Sequence, residues 1–272
     1  SGTTTTLTGV AVLDANMSVA VGFGATILKT TNAGATWVNV HSVSTDHFNS
    51  VRFSEISTGI AVGYDGVIVR TTDGGDTWVR NSSGTLNDLL CVSLTGPLTG
   101  TVVGTAGTIL RTTNGGLTNW TTQTSGTDDN LYGVSFTSDL VGYAVGGFTS
   151  GIILKTTNGG ATWVRQTSGT SNILTAVCAA NADVATAVGL NGSILRTTNG
   201  GAQWTTQTSE FAGALYGTFF TNVDTGFVVG VNGILNTIDG GATWVMQPSG
   251  ANVPLKAISF TGARIGAAVG ES

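Results

Sequence analysis

Short apolar runs separated by glycine and polar residues follow one another along the chain, and the same order of runs keeps returning. Residues 131–170 show it most clearly, as LYGVSFT, GYAVG, GIILKTT and TWVRQT. Each run is rich in Val, Ile, Thr, Phe and Tyr, lacks Pro, and shows no 3.6-residue period, so the pattern predicts strands and almost no helix. The six tryptophans (Trp37, Trp78, Trp120, Trp163, Trp204 and Trp244) are 41, 42, 43, 41 and 40 residues apart. Repeats of that period are units that bury their faces on their neighbours.

Four antiparallel strands per unit predict an all-β fold, a β-propeller of four-stranded blades forming one domain over 1–272. The units are approximately 7–46, 47–87, 88–130, 131–173, 174–214 and 215–254, followed by a half repeat at 255–272. The second runs (GIAVG, GTVVG, GYAVG, ATAVG, GFVVG) are thin on both faces, which suits a place near the axis, while the tryptophan-bearing fourth run suits the periphery. An open sheet edge is a liability. Seven blades with an incomplete last one are therefore expected, with six as the second choice. The seventh would be finished by the N-terminal segment, by residues outside this sequence, or by another chain.

The most regular part of each unit joins the third run to the fourth, as in LKTTNGGATWV at 154–164. NGG and DGG are hairpin signals. A phosphate-binding loop needs its Lys after the glycines and a helix beyond it; here Lys155 precedes them and a strand follows. Thr71, Asp73, Gly75, Thr77 and Trp78 resemble the Asp-box of bacterial neuraminidase repeats, which in that family closes the hairpin between the third and fourth strands of a propeller blade. The Asp position is Asp73 and Asp239 in two copies and Asn32, Asn114, Asn158 and Asn199 in the others. Asn also closes turns through its side chain. The third copy departs from the pattern by inserting Asn119. The whole series of runs is similar to the propeller proteins grouped with the photosystem II stability and assembly factor, and related repeats are frequent in secreted bacterial surface proteins.

Composition narrows the partners. The chain has 41 glycines, 9% charged residues and a net charge of -5, with its 10 basic residues scattered. That distribution gives nucleic acid no basic footprint. The apolar runs are far shorter than the roughly 20 residues of a membrane-spanning helix. Low charge and abundant Thr and Gly, with the company the resemblance supplies, place the expected location outside the cytoplasm, in periplasm, on the cell surface or in the medium. No signal peptide is visible. Cys91 and Cys178 read as small buried hydrophobes.

A catalytic constellation is harder to find. Resemblance to sialidases would require an arginine cluster, a Tyr–Glu pair and an acidic Asp. The chain has only three glutamates (Glu55, Glu210, Glu271), and Tyr132 and Tyr216 occupy equivalent repeat positions that read as packing. Asp128 and Asp129 are adjacent and read as a solvated turn. His41 and His47 lack zinc-site spacing. No catalytic residue, metal or cofactor is assigned.

Two sets of residues remain for binding. Lys29, Arg70, Arg111, Lys155 and Arg196 share one position before the box, where the sixth copy has Asn236. They form either a cationic ring for an acidic partner, similar to the arginine patch of the photosystem factor family, or covers for the blade edges, each paired with a neighbouring turn acid or carbonyl. Non-repeating residues fall in the turns before first strands and between second and third strands, which share one face. They include His41, Asp46, His47, Tyr64, Asp65 and Asp88, then Asp128, Asp129, Phe148, Glu210 and Phe211. Variable loops on a rigid scaffold are where binding concentrates. The expected function is a non-enzymatic binding or assembly scaffold for a protein partner. Glycan recognition, a sialidase-like hydrolase and a photosystem-type assembly factor are the alternatives.

Overall fold

The computed structural model describes all residues except 1, 41–44, 119, 232 and 263. His41 and Asn119 therefore lie outside the described residues. Six four-stranded antiparallel sheets follow one another, each with its strands in chain order. The first comprises Leu7–Val12, Ser18–Gly22, Ile27–Thr30 and Val38–Asn39. Apart from strands, the described residues form only two three-residue 3-10 turns, Tyr64–Gly66 and Leu190–Gly192.

The first strand of each sheet is the innermost: Leu7–Val12, Phe48–Phe53, Leu89–Leu94, Leu131–Phe136, Leu174–Ala179, Leu215–Phe220 and Leu255–Thr261. These strands stand side by side around a common axis, and the last packs against both the sixth and the first. The expectation of seven blades is corrected here. Six sheets are complete blades, and Leu255–Thr261 pairs only with Ile265–Gly270 in a two-stranded sheet that fills the remaining sector. The described residues before Leu7 add no strand to it. Their contact is a tether in which the Ser272 hydroxyl donates to the Thr4 carbonyl at 2.7 Å.

The thin second strands lie one place farther from the axis than expected, and their glycines have a different reason. Each inner strand carries a β-bulge after its first residue, in all seven sheets. The bulge pushes a backbone carbonyl onto the last residue of the second strand. A Cβ at Gly63, Gly104 or Gly146 would come 1.9–2.1 Å from the carbonyl oxygen of His47, Asp88 or Asn130. Only Gly tolerates that approach.

Leu, Val and Ile side chains fill the wedges between blades, as in the cluster of Val103, Ile109, Leu131, Val134, Ala144 and Ile152. At the periphery each box hairpin is closed from within. Thr71 Oγ1 donates to Asp73 Oδ1 at 2.7 Å, Gly75 N–H donates to Thr71 Oγ1 at 2.9 Å, and Thr77 N–H donates to Asp73 Oδ1 at 2.9 Å. Two of the tryptophans reach across to the preceding blade, Trp163 Nε1 donating to Gln123 Oε1 at 3.2 Å and Trp204 Nε1 to Gln166 Oε1 at 2.9 Å, whereas Trp78 Nε1 donates to Gly75 O of its own hairpin at 3.2 Å.

Candidate protein-binding face

The bulges also determine what faces the axis. With one extra residue in the strand, the second side chain of each inner strand is re-aimed. Thr8, Asn49, Leu90, Tyr132, Thr175, Tyr216 and Lys256 thereby come together, with Ile173 and Leu190, around a depression of about 380 Å³. A narrower continuation of about 110 Å³ runs along the axis and is lined in part by Arg52. The depression opens where the inner strands begin, on the face that carries the turns before first strands and between second and third strands.

Several lining groups are fixed by the ring itself. Thr8 Oγ1 donates to Phe48 O at 2.6 Å, Asn49 Nδ2 to Leu89 O at 2.9 Å, and Thr175 Oγ1 to Leu215 O at 2.6 Å. Leu90, Tyr132, Ile173 and Leu190 make an apolar arc. Across from it Lys256 Nζ lies 2.9 Å from Glu271 Oε1 and 4.0 Å from the centre of the Tyr216 ring. None of the residues lining the depression or its continuation is Asp or Glu.

None of the described loop residues singled out from sequence lines the depression or its continuation; they lie in turns away from the axis. His47 and Tyr64 form an aromatic cluster with Phe23, at ring separations of 4.8 and 5.2 Å from His47. Gly24 N–H donates to His47 Nδ1 at 2.7 Å. Asp65 takes the left-handed conformation (φ 52°), and its N–H donates to Asp88 Oδ1 at 3.0 Å. Asp46 pairs with Arg80 at 3.4 Å. Asp128 and Glu210 are exposed, Asp129 is half-buried, and Phe148 is 73% exposed. Phe211 is a correction: at 8% exposure it packs with Val188, Ile194 and Leu215 as core, because its turn folds inward between blades.

The five shared cations lie toward the opposite face and do not form an exposed ring. Lys29, Arg111 and Arg196 are 7–9% exposed, and Arg70 and Lys155 are half-buried. Four of them grip the following blade: Lys29 Nζ the Asp76 carboxylate at 2.7 Å, Lys155 Nζ the Gly200 carbonyl at 2.6 Å, Arg111 the Asp139 carbonyl and Arg196 the Val223 carbonyl. Arg111 and Arg196 also stack over Phe136 and Phe220 of that blade. Asn236 instead bonds within its own sheet, to Gly226 O and Thr237 O.

A family model described as photosynthesis system II assembly factor YCF48 matches residues 82–219, just over half of the chain. The chain belongs to that family. Two solved YCF48 structures have the same fold. One, YCF48 bound to D1 peptide, is 22% identical at a TM-score of 0.80, covering 99% of this chain and 90% of that one. The other, from Cyanidioschyzon merolae, is 22% identical at a TM-score of 0.81, covering 100% and 95%. A GH74 xyloglucanase from Xanthomonas campestris matches at 13% identity and a TM-score of 0.70, over 90% of this chain and 47% of the enzyme. No curated protein matches. Within this YCF48-family chain, the axial residues do not stand out in the sequence. Tyr132 and Tyr216 line the mouth rather than pack. The available signal was the second position of the first run, which varies as Thr, Asn, Leu, Tyr, Thr, Tyr and Lys between near-constant apolar neighbours.

Proposed function

We propose that this chain is a non-enzymatic assembly scaffold that holds a segment of a partner protein at the axial mouth on its loop face. The observation that carries the reading is the ring of bulges, which delivers seven side chains of five kinds to one depression while the box motif recurs from unit to unit. A concave, largely apolar site with a few fixed polar groups is the usual form of a binding pocket. The YCF48 structure with a D1 peptide supports a peptide-like ligand for this fold. Hydrolysis of a glycoside calls for two carboxylates about 5 to 9.5 Å apart across the substrate, and the lining residues supply none. Glycan recognition without hydrolysis is the second reading, favoured by Tyr132, Tyr216 and the exposed Phe148; titration with xyloglucan oligosaccharides tests it. Composition supports a location outside the cytoplasm, which cell fractionation tests.

Calorimetric titration with a D1 peptide tests the main reading. Saturable binding is expected, weakened about tenfold or more by Leu190→Asp, which buries a charge in the apolar arc. Leu140→Asp, on an exposed turn of the opposite face, leaves it unchanged. Absence of binding, or binding that Leu190→Asp does not touch, overturns the site.

A further inference from the structure

The structure assigns a chemistry to the ligand of the axial mouth: an acidic peptide segment in which a carboxylate side chain neighbours an apolar one. This inference rests on the reading of the mouth as a binding site. The protein already shows a carboxylate seated there. Glu271, just beyond the second strand of the seventh sheet, places Oε1 2.9 Å from Lys256 Nζ at the rim. Both partners keep solvent contact, with side chains 42% and 27% exposed, so a second carboxylate can approach Lys256 and exchange with Glu271. Exposed pairs of this kind contribute little stability and are readily traded.

The surroundings favour an anion over a neutral group. Below Lys256, among the described residues, the only other charged side chain lining the axis is Arg52, whose Nη1 donates to the Val10 and Val51 carbonyls at 3.3 Å each. With Lys256 balanced by Glu271 and no acid among the described lining residues, Arg52 leaves the axis positive inside a chain of net charge -5. Low-dielectric walls concentrate such a field. The facing arc of Leu90, Ile173 and Leu190 supplies a place for an apolar side chain next to the carboxylate. Glu271 is then an internal competitor that an incoming acidic segment displaces, with no bond made or broken beyond hydrogen bonds.

The test uses the whole chain and two synthetic peptides, acetyl-Gly-Leu-Leu-Glu-Gly-Gly-amide and its Gln analogue. The Glu peptide is expected to bind about tenfold more tightly than the Gln peptide, the scale of a charge-assisted hydrogen bond, with an advantage that shrinks as salt rises. Lys256→Gln abolishes the preference, Lys256→Arg restores it, and Glu271→Gln tightens binding of the Glu peptide. Equal binding of the two peptides, no binding of either, or a preference that survives Lys256→Gln overturns the inference. If the peptides bind equally and Leu190→Asp still abolishes binding, the mouth is a site without charge recognition and the wider function stands. If the D1 peptide titration also fails, both fall.

Discussion

Ser259 Oγ accepts the backbone N–H of Val12 at 3.2 Å, joining two residues 247 positions apart in the chain. Equivalent bonds tie successive inner strands within the ring. Ser93 Oγ accepts from Phe136 N at 3.0 Å, Ser135 Oγ from Ala179 N at 3.0 Å, and Cys178 Sγ from Phe220 N at 3.3 Å. Closure between the two-stranded sheet and the first blade therefore reuses the bond that joins neighbouring blades. Ser259→Ala is expected to destabilise the protein by about 1 kcal/mol, as Ser135→Ala does, measured by urea unfolding. A cost for Ser135→Ala with none for Ser259→Ala would show that the ring does not close there in solution.

Two glycines of similar conformation separate strain from crowding. Gly84 (φ +79°) has nothing within 4 Å of a built Cβ, whereas at Gly66 (φ +69°) that atom would lie 2.0 Å from the Thr85 carbonyl oxygen. Gly84→Ala carries only the left-handed conformational cost of roughly 1–2 kcal/mol. Gly66→Ala must in addition displace the turn that starts the third blade, and a several-degree larger fall in Tm is expected. Equal melting shifts would contradict this close approach.

Asp239 accepts hydrogen bonds from the Thr243 hydroxyl, the Thr243 N–H and the Thr237 hydroxyl, and these pull its pKa down to about 2. The hydroxyl and N–H of Thr77 hold Asp73 well below the usual carboxylate range in the same way. Because the folded values lie below the unfolded value of about 3.9, the stability these groups contribute is complete above pH 4 and is lost as pH falls through the folded values. Asn performs the same closure with one bond reversed: Asn158 Nδ2 donates to Thr162 Oγ1 at 2.9 Å, where Thr243 Oγ1 donates to Asp239 Oδ2 at 2.6 Å. The double variant Asp73→Asn, Asp239→Asn should match the wild-type urea midpoint at pH 7 and lose less of it between pH 4 and pH 2. An unchanged acid profile would contradict the assignment.

That interchange explains why the architecture was legible in the sequence. The box works through short-range bonds among Thr, Asn or Asp, Gly and Trp, so copying it six times leaves a periodic record. The strand runs are equally local. The axial mouth is not. Tyr132 and Tyr216 read as packing because they recur at equivalent repeat positions, and the bulge that turns them to the mouth is recorded only indirectly, in the glycine that ends each second run. Phe211 failed for the opposite reason: its loop position suggested exposure, yet its ring enters the cluster around Leu215. The cations Lys29, Arg111 and Arg196 are visible as a set, but their burial depends on the next blade's turn, a contact across 27 to 47 residues. Blade number depended on tertiary closure, and the ring fills its last sector with two strands.

The most direct test of a partner-binding axial mouth is hydrogen exchange of the chain with and without a bound D1 peptide, read by mass spectrometry. New protection is predicted at the entries of the inner strands, around Asn49, Leu90, Tyr132, Thr175 and Tyr216, and at the turn holding Leu190. Protection confined to the box turns around Asp73, Asn158 and Asp239 would instead place the partner on the opposite face and contradict the axial site.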